Sequence, residues 1–298
     1  MTIHLVSTIN KFRLERDRMK NLLADYKKNK EYLVCIDSDG CAIDTMDIKH
    51  IKCFGPCMVK EWNLEEWATP ILTSWNDVNL YTLTRGINRF KGLAVALEEI
   101  NAKYTKIEGL DVYLKWTKEA TELSNESLAV EYEKTNNICI KKALEWSKAV
   151  NLSIDELSDD DKMPFGGVGE ALAAIHKYAD IAIVSSANRK AVEDEWSKSG
   201  LLQYVDIVLT QDIGVKSYCI AQMMEKGYKK ENVLMCGDAV GDLDAAKKND
   251  VFFYPIMVKK EEFSWNRFTS EVLSTFVEGK YNEVEERFIN EFKENLTK

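Results

Sequence analysis

"EYLVCIDSDGCAIDTMDIKH", residues 31–50, is an apolar run that ends on two carboxylates, Asp37 and Asp39, followed at once by Gly40. The run 32–36 shows no polar alternation. It reads as a strand buried on both faces, the pattern of a parallel sheet covered by helices. In such sheets ligands bind beyond the carboxyl ends of the strands. Two acids at that point pose a chemical question, and the rest of the chain supplies its context.

Further apolar runs follow at "IAIVSS" (181–186), "VDIVLT" (205–210), "NVLMCGD" (232–238) and "VFFYPI" (251–256). Helical stretches such as "GEALAAIHKYA" (169–179) and "KSYCIAQMMEKG" (216–227) separate them. The alternation predicts an α/β fold with a Rossmann-like parallel sheet. Residues 45–164 break it and read as all-helical, with segments 86–104, 110–123 and 128–150. Five of the seven Trp lie there, enough aromatic area for a core of its own. The expected organisation is an N-terminal helical extension (1–30), an α/β core (31–44 and 165–258), an inserted helical domain (45–164) and a C-terminal helical extension (259–298). Ile9, Phe12, Met19, Leu22 and Tyr26 mark the first extension. Tyr281, Val284, Phe288, Ile289, Phe292 and Leu296 form a stripe in the last, expected to pack on the core, with dimerisation as the alternative. "MPFGGVGE" (163–170) is the expected return hinge.

Composition narrows the partners. Of 298 residues, 45% are hydrophobic and 30% charged, as in a globular protein, and the net charge is -9. A nucleic-acid footprint needs a basic field, so no nucleic acid is expected. No run approaches the ~18 apolar residues of a membrane span, and no signal-peptide core opens the chain. The expectation is a cytoplasmic protein with no membrane partner, as a monomer or homodimer. The seven cysteines are scattered, without a disulfide framework. His50, Cys53 and Cys57 lack the second ligand pair of a zinc site and read as ordinary helix residues.

Four polar clusters stand at strand ends: Asp37 and Asp39; Ser185 and Ser186; Lys216 at the opening of a helix; and Asp238 and Asp242 in "GDAVGDLDAA" (237–246). Each alone is ordinary. A serine ends many strands and an aspartate caps many helices. A parallel sheet brings all four to one edge, as a Mg²⁺ site faced by a phosphate site.

With these clusters in this order, the chain resembles the haloacid dehalogenase-like superfamily of phosphotransferases, of the type with a helical cap inserted between the first two motifs. The resemblance implies an HAD-like core and assigns roles. Asp37 is the nucleophile and Asp39 the acid–base. Ser185, Ser186 and Lys216 bind phosphate. Asp37, Asp39, Asp238 and Asp242 serve Mg²⁺, Asp39 through its carbonyl and Asp242 through water. Cys41 and Ser217 differ from residues common at those places in the family, and Lys190 and Lys198 are less suitable than Lys216. The implied activity is a Mg²⁺-dependent phosphatase acting on a small phosphorylated metabolite. A sugar-phosphate mutase and a non-catalytic binding protein of the same fold are the alternatives. Phosphonate cleavage and dehalogenation fit less well, given Asp39 and the intact acids at 238 and 242. Arg85 and Arg89, flanking Gly86 in "LTRGINRFKGL" (83–93), are candidates for contacting the leaving group.

Overall fold

The computed structural model describes residues 23–297. Most of the N-terminal helical extension expected over 1–30, with Ile9, Phe12, Met19 and Leu22, lies outside them. Described residues up to Asp44, together with Met163–Asn295, form one compact unit; Thr45–Lys162, with the chain from Leu296, form a second.

The first unit is built on five parallel strands: β1 (Tyr32–Ile36), β2 (Ala179–Val184), β3 (Ile207–Leu209), β4 (Val233–Gly237) and β5 (Phe252–Pro255). Their order is β3-β2-β1-β4-β5. Strand order reverses between β1 and β4, which makes that gap the switch point where α/β sheets bind ligands. Leu33 pairs with Val233 and Ile36 with Cys236 across the gap, so the two strands end side by side. All of β2 is buried, as expected of a strand with helices on both faces.

On one face, Val168, Leu172 and Ile175 of a helix (Val168–Ile175) pack with Ile181, Ile183 and Ile36. Trp265, Phe268 and Phe276, which follow the last strand, join the same cluster, as do Tyr281 and Phe288. Side chains from this C-terminal segment also meet the outer edge of the sheet. Phe253 in the terminal strand β5 donates its N–H to Glu285 Oε1 at 2.8 Å and accepts from the Tyr281 hydroxyl at 2.9 Å. Gly279, at φ 71°, closes the helical run before Tyr281.

The second unit is helical. Trp75 and Trp146 meet edge-to-face at 6.2 Å, and Phe54 meets Trp146 at 6.0 Å. The buried Trp146 indole finds its partner in the Phe54 carbonyl, at 3.1 Å. One expected helix is corrected. The stretch 128–150 is two helices, α1 (Asn125–Thr135) and α2 (Ile138–Asp155). Asn136 takes the left-handed conformation at φ 47°, and Asn137 caps α2 by accepting from the Cys139 and Ile140 N–H groups. Asparagine does both at small cost, so the pair ends one helix and starts the next. No helix among the described residues is long and apolar enough to cross a membrane.

Candidate active site

Strand β1 delivers Asp37 to the switch point, and the loop after it is tightly closed. The Ser38 carbonyl accepts from Ala42 at 3.0 Å and Ile43 at 2.9 Å, and Gly40 donates to the Ile43 carbonyl at 2.9 Å. Gly40 sits at φ 78°, where a side chain would be strained. That explains the glycine after the acid pair: it turns the chain back before the second acid can run into a helix. Two indoles grip this loop from behind. Trp196 donates to Ser38 Oγ at 2.9 Å, and Trp265 donates to the Cys41 carbonyl at 2.8 Å. Neither contact is legible from sequence spacing, where both tryptophans read only as core aromatics.

Three of the acids and the lysine come together. Carboxylate oxygens of Asp37, Asp238 and Asp242 all lie within 4.8 Å of one another, and all three residues are buried. Lys216 opens its helix (Lys216–Met224) and stands 2.8 Å from Asp37 Oδ2 and 2.6 Å from Asp242 Oδ1. The nearby lysines at 190 and 198 lie instead on the helix Arg189–Lys198. Asp242 has its second oxygen engaged by the Ala239 N–H at 3.1 Å. A Cβ on Gly237 would fall 2.3 Å from Asp242 Cγ, so the close approach of Asp242 to the end of β4 requires glycine there.

Ser185 directly follows β2, the strand next to β1, and its Oγ accepts from the Ala187 N–H at 3.1 Å. Ser186 beside it is exposed. Asp39 is partly buried on the closed loop.

The electrostatics call for a further cation. Burial pushes the Asp37 carboxyl well above the usual carboxylate range; Lys216 pulls it back, and Asp242 and Asp238 push it up again. For Lys216, burial opposes the charged form, yet Asp242 and Asp37 outweigh it and hold its pKa above the ordinary lysine value. Asp37 and Asp242 both contact this ammonium, and Asp238 adds a third carboxylate to the group. Two like charges ~4 Å apart repel by about 4 kcal/mol at an effective dielectric of 20. An all-oxygen, acid-rich set fits a hard divalent cation such as Mg²⁺. Burial, then Asp238 and Asp37, also hold the Cys41 thiol protonated, so it offers no thiolate to compete as a nucleophile.

His50, Cys53 and Cys57 do not form a metal-holding group among the described residues. His50 stacks on Phe54 at 4.6 Å instead.

Arg85 is held inside the helical unit. Its side chain is only 1% exposed, and its guanidinium donates to the Leu80 carbonyl at 2.8 Å and faces Asp47 at 3.4 Å. Asp47 also accepts from the Tyr81 hydroxyl at 2.9 Å. Burial, then that bond to Asp47, push the Tyr81 pKa up to about 12. Arg89 differs: half-buried, it lies over the Phe54 ring at 5.0 Å and donates to Asn151 at 2.7 Å. Arg85→Ala is expected to destabilise the helical unit by about 1–3 kcal/mol, because it strands buried acceptors. Arg89→Ala should cost about 1 kcal/mol, the worth of a partly exposed cation–π contact. Urea unfolding of the two variants checks the ordering.

A parallel sheet with acids at its switch point and a lysine bridging them defines an α/β enzyme of the phosphoryl-transfer type. The family model described as haloacid dehalogenase-like hydrolase matches residues 94–256, over half of the chain, and the chain belongs to that family. The match takes in Ser185, Lys216, Asp238 and Asp242; Asp37 and Asp39 precede it. Among solved structures, a haloacid dehalogenase-like family hydrolase from Streptococcus pneumoniae is similar at 12% identity and TM-score 0.52, over 82% of this chain and 98% of that one. Beta-phosphoglucomutase from Clostridium difficile is similar at 16% identity and TM-score 0.52, over 85% and 100%. At these identities the likeness is one of fold. No curated protein matches the chain in sequence.

Proposed function

We propose that this chain is a Mg²⁺-dependent phosphatase that hydrolyses a small phosphorylated metabolite through an aspartyl phosphate on Asp37. The observation that carries the reading is the buried group of Asp37, Asp238 and Asp242, within 4.8 Å, with Lys216 bonded into it. Phosphoryl transfer needs mostly positioning and charge neutralisation; this group supplies the positioning and a seat for the cation that would neutralise charge.

An Asp37 carboxylate oxygen attacks phosphorus, and the bond from phosphorus to the leaving oxygen breaks. Asp39, protonated, gives its proton to that oxygen, so an alcohol leaves. Asp39, now a carboxylate, takes a proton from water as the water oxygen attacks the aspartyl phosphate. Inorganic phosphate leaves, and Asp37 is restored as the carboxylate with Asp39 again protonated. The Ser185 hydroxyl, the Ser186 N–H and the Lys216 ammonium hold phosphate oxygens throughout. Asp37, Asp238 and the Asp39 carbonyl would hold Mg²⁺, with Asp242 acting on it through water while also bonded to Lys216. The bound ion would offset the charge of the incoming phosphate and favour ionised Asp37.

A mutase shares the first half of this chemistry and differs in the acceptor. The test is Mg²⁺-dependent release of inorganic phosphate from an aryl phosphate, repeated with hexoses and hexose phosphates in excess. Free phosphate in both assays supports the phosphatase. Phosphoryl groups appearing on the sugar instead assign the mutase, and no turnover in either rejects the proposal.

A further inference from the structure

We propose that Trp196 and Trp265 are positioning residues for phosphoryl transfer, and that the C-terminal helices are thereby part of the catalytic scaffold. The inference rests on the reading of Asp37 and Asp39 as the reacting acids. Both indoles are fully buried, as are Ser38 and Cys41, the residues they hold. Trp196 comes from the helix after β2 and Trp265 from the helix Glu261–Arg267, after the last strand.

Ser38 stands between the two acids in the chain, so any shift of Ser38 moves both. Its carbonyl closes the turn from inside, through Ala42 and Ile43, and the Trp196 N–H holds its hydroxyl oxygen from outside. Trp265 fixes the far end of the turn at the Cys41 carbonyl, across 224 residues of sequence. An indole has one donor, in the plane of a rigid bicyclic ring. Once the ring is packed, the donor has one direction. Two such donors, at the two ends of the four-residue stretch Ser38–Cys41, leave it little freedom to rotate. The packing alone could be met by phenylalanine or leucine; the two hydrogen bonds could not.

Positioning is most of what this chemistry asks of the protein, and misplacement by ~1 Å can cost about 10²-fold in rate. Trp196→Phe and Trp265→Phe are therefore expected to lower kcat on an aryl phosphate by about 10–100-fold. KM should stay within about threefold, because the phosphate-binding groups Ser185 and Lys216 lie on other elements. All assays are run well below each variant's melting temperature, so loss of folded protein does not enter. Ser38→Ala removes only the acceptor of Trp196, and the double variant with Trp196→Phe should be no slower than the slower single variant. Should Trp265→Phe not fold, site-specific benzothienylalanine at position 265 keeps the ring shape without the N–H and carries the same test.

Variants with kcat within about twofold of wild type overturn the proposal, as does a fall in activity that enters through KM. Multiplying effects of Ser38→Ala and Trp196→Phe overturn the part that concerns Trp196. A wild type with no phosphoryl-transfer activity overturns both this proposal and the functional reading beneath it; an active wild type with unaffected variants overturns this proposal alone.

Discussion

Asp37→Asn is expected to abolish turnover, with a loss greater than the ~10²–10⁴-fold typical of removing an acid–base group. Asparagine has the same shape, so the loop and its hydrogen bonds persist. Its amide cannot form an acyl phosphate, and the covalent route is closed rather than slowed. The same substitution removes a charge from a buried cluster in which burial, Asp242 and Asp238 all disfavour the carboxylate. Lys216 keeps its 2.6 Å contact with Asp242. Without metal, the variant should melt at or above the wild-type temperature, the usual sign that function has been built at the expense of stability. Two measurements suffice: kcat on an aryl phosphate, and mass spectrometry of the Asp37 peptide after quenching mid-reaction. Wild-type protein should carry a phosphoryl group there. Turnover near wild-type by Asp37→Asn would place the nucleophile elsewhere.

Stripping divalent cations is the second large effect. Chelator-treated protein should lose activity, and Mg²⁺ should restore it. The physical reason is the crowding of three buried carboxylates within 4.8 Å, with one ammonium paired to two of them, which leaves net negative charge where an anionic substrate must approach. Binding to the folded state alone raises stability by about 2.7 kcal/mol at a ligand concentration 100 times Kd, so Mg²⁺ should also raise the melting temperature. Asp238, just after β4, is 1% exposed, and its carboxylate lies within 4.8 Å of that of Asp37. Asp238→Asn should lose both the activity and the Mg²⁺-induced shift. The shift needs no substrate, so it tests the site independently of catalysis. Full activity after exhaustive chelation, with no melting shift on adding Mg²⁺, would remove the metal from the account.

Much of this was legible in the sequence because strands covered on both faces read as unbroken apolar runs. "YLVCI" and "VLMCG" are such runs, and both end on the acids that meet at the switch point. Lys216 was legible as the residue opening a helix. The break at Asn136 and Asn137 was not, since the apolar periodicity runs through it and only backbone conformation reveals it. Nor was the fate of Arg85. Its partner Asp47 lies 38 residues away, and a lone arginine beside a glycine carries no sign of whether it will be buried. The grip of Trp196 and Trp265 on the acid loop belongs to the same class of long-range contact, in which local pattern records a core residue but not what its polar atom reaches.

The side chains that meet β5 also limit how this molecule can associate with copies of itself. An outermost strand normally exposes a row of donors and acceptors on which another chain can build an intermolecular ladder. Here Glu285 and Tyr281 already occupy both backbone groups of Phe253. The opposite outermost strand, β3, spans only Ile207–Leu209. Joining two sheets edge to edge through β5 would first require stripping the C-terminal helices away, and with them the indole that holds the Cys41 carbonyl.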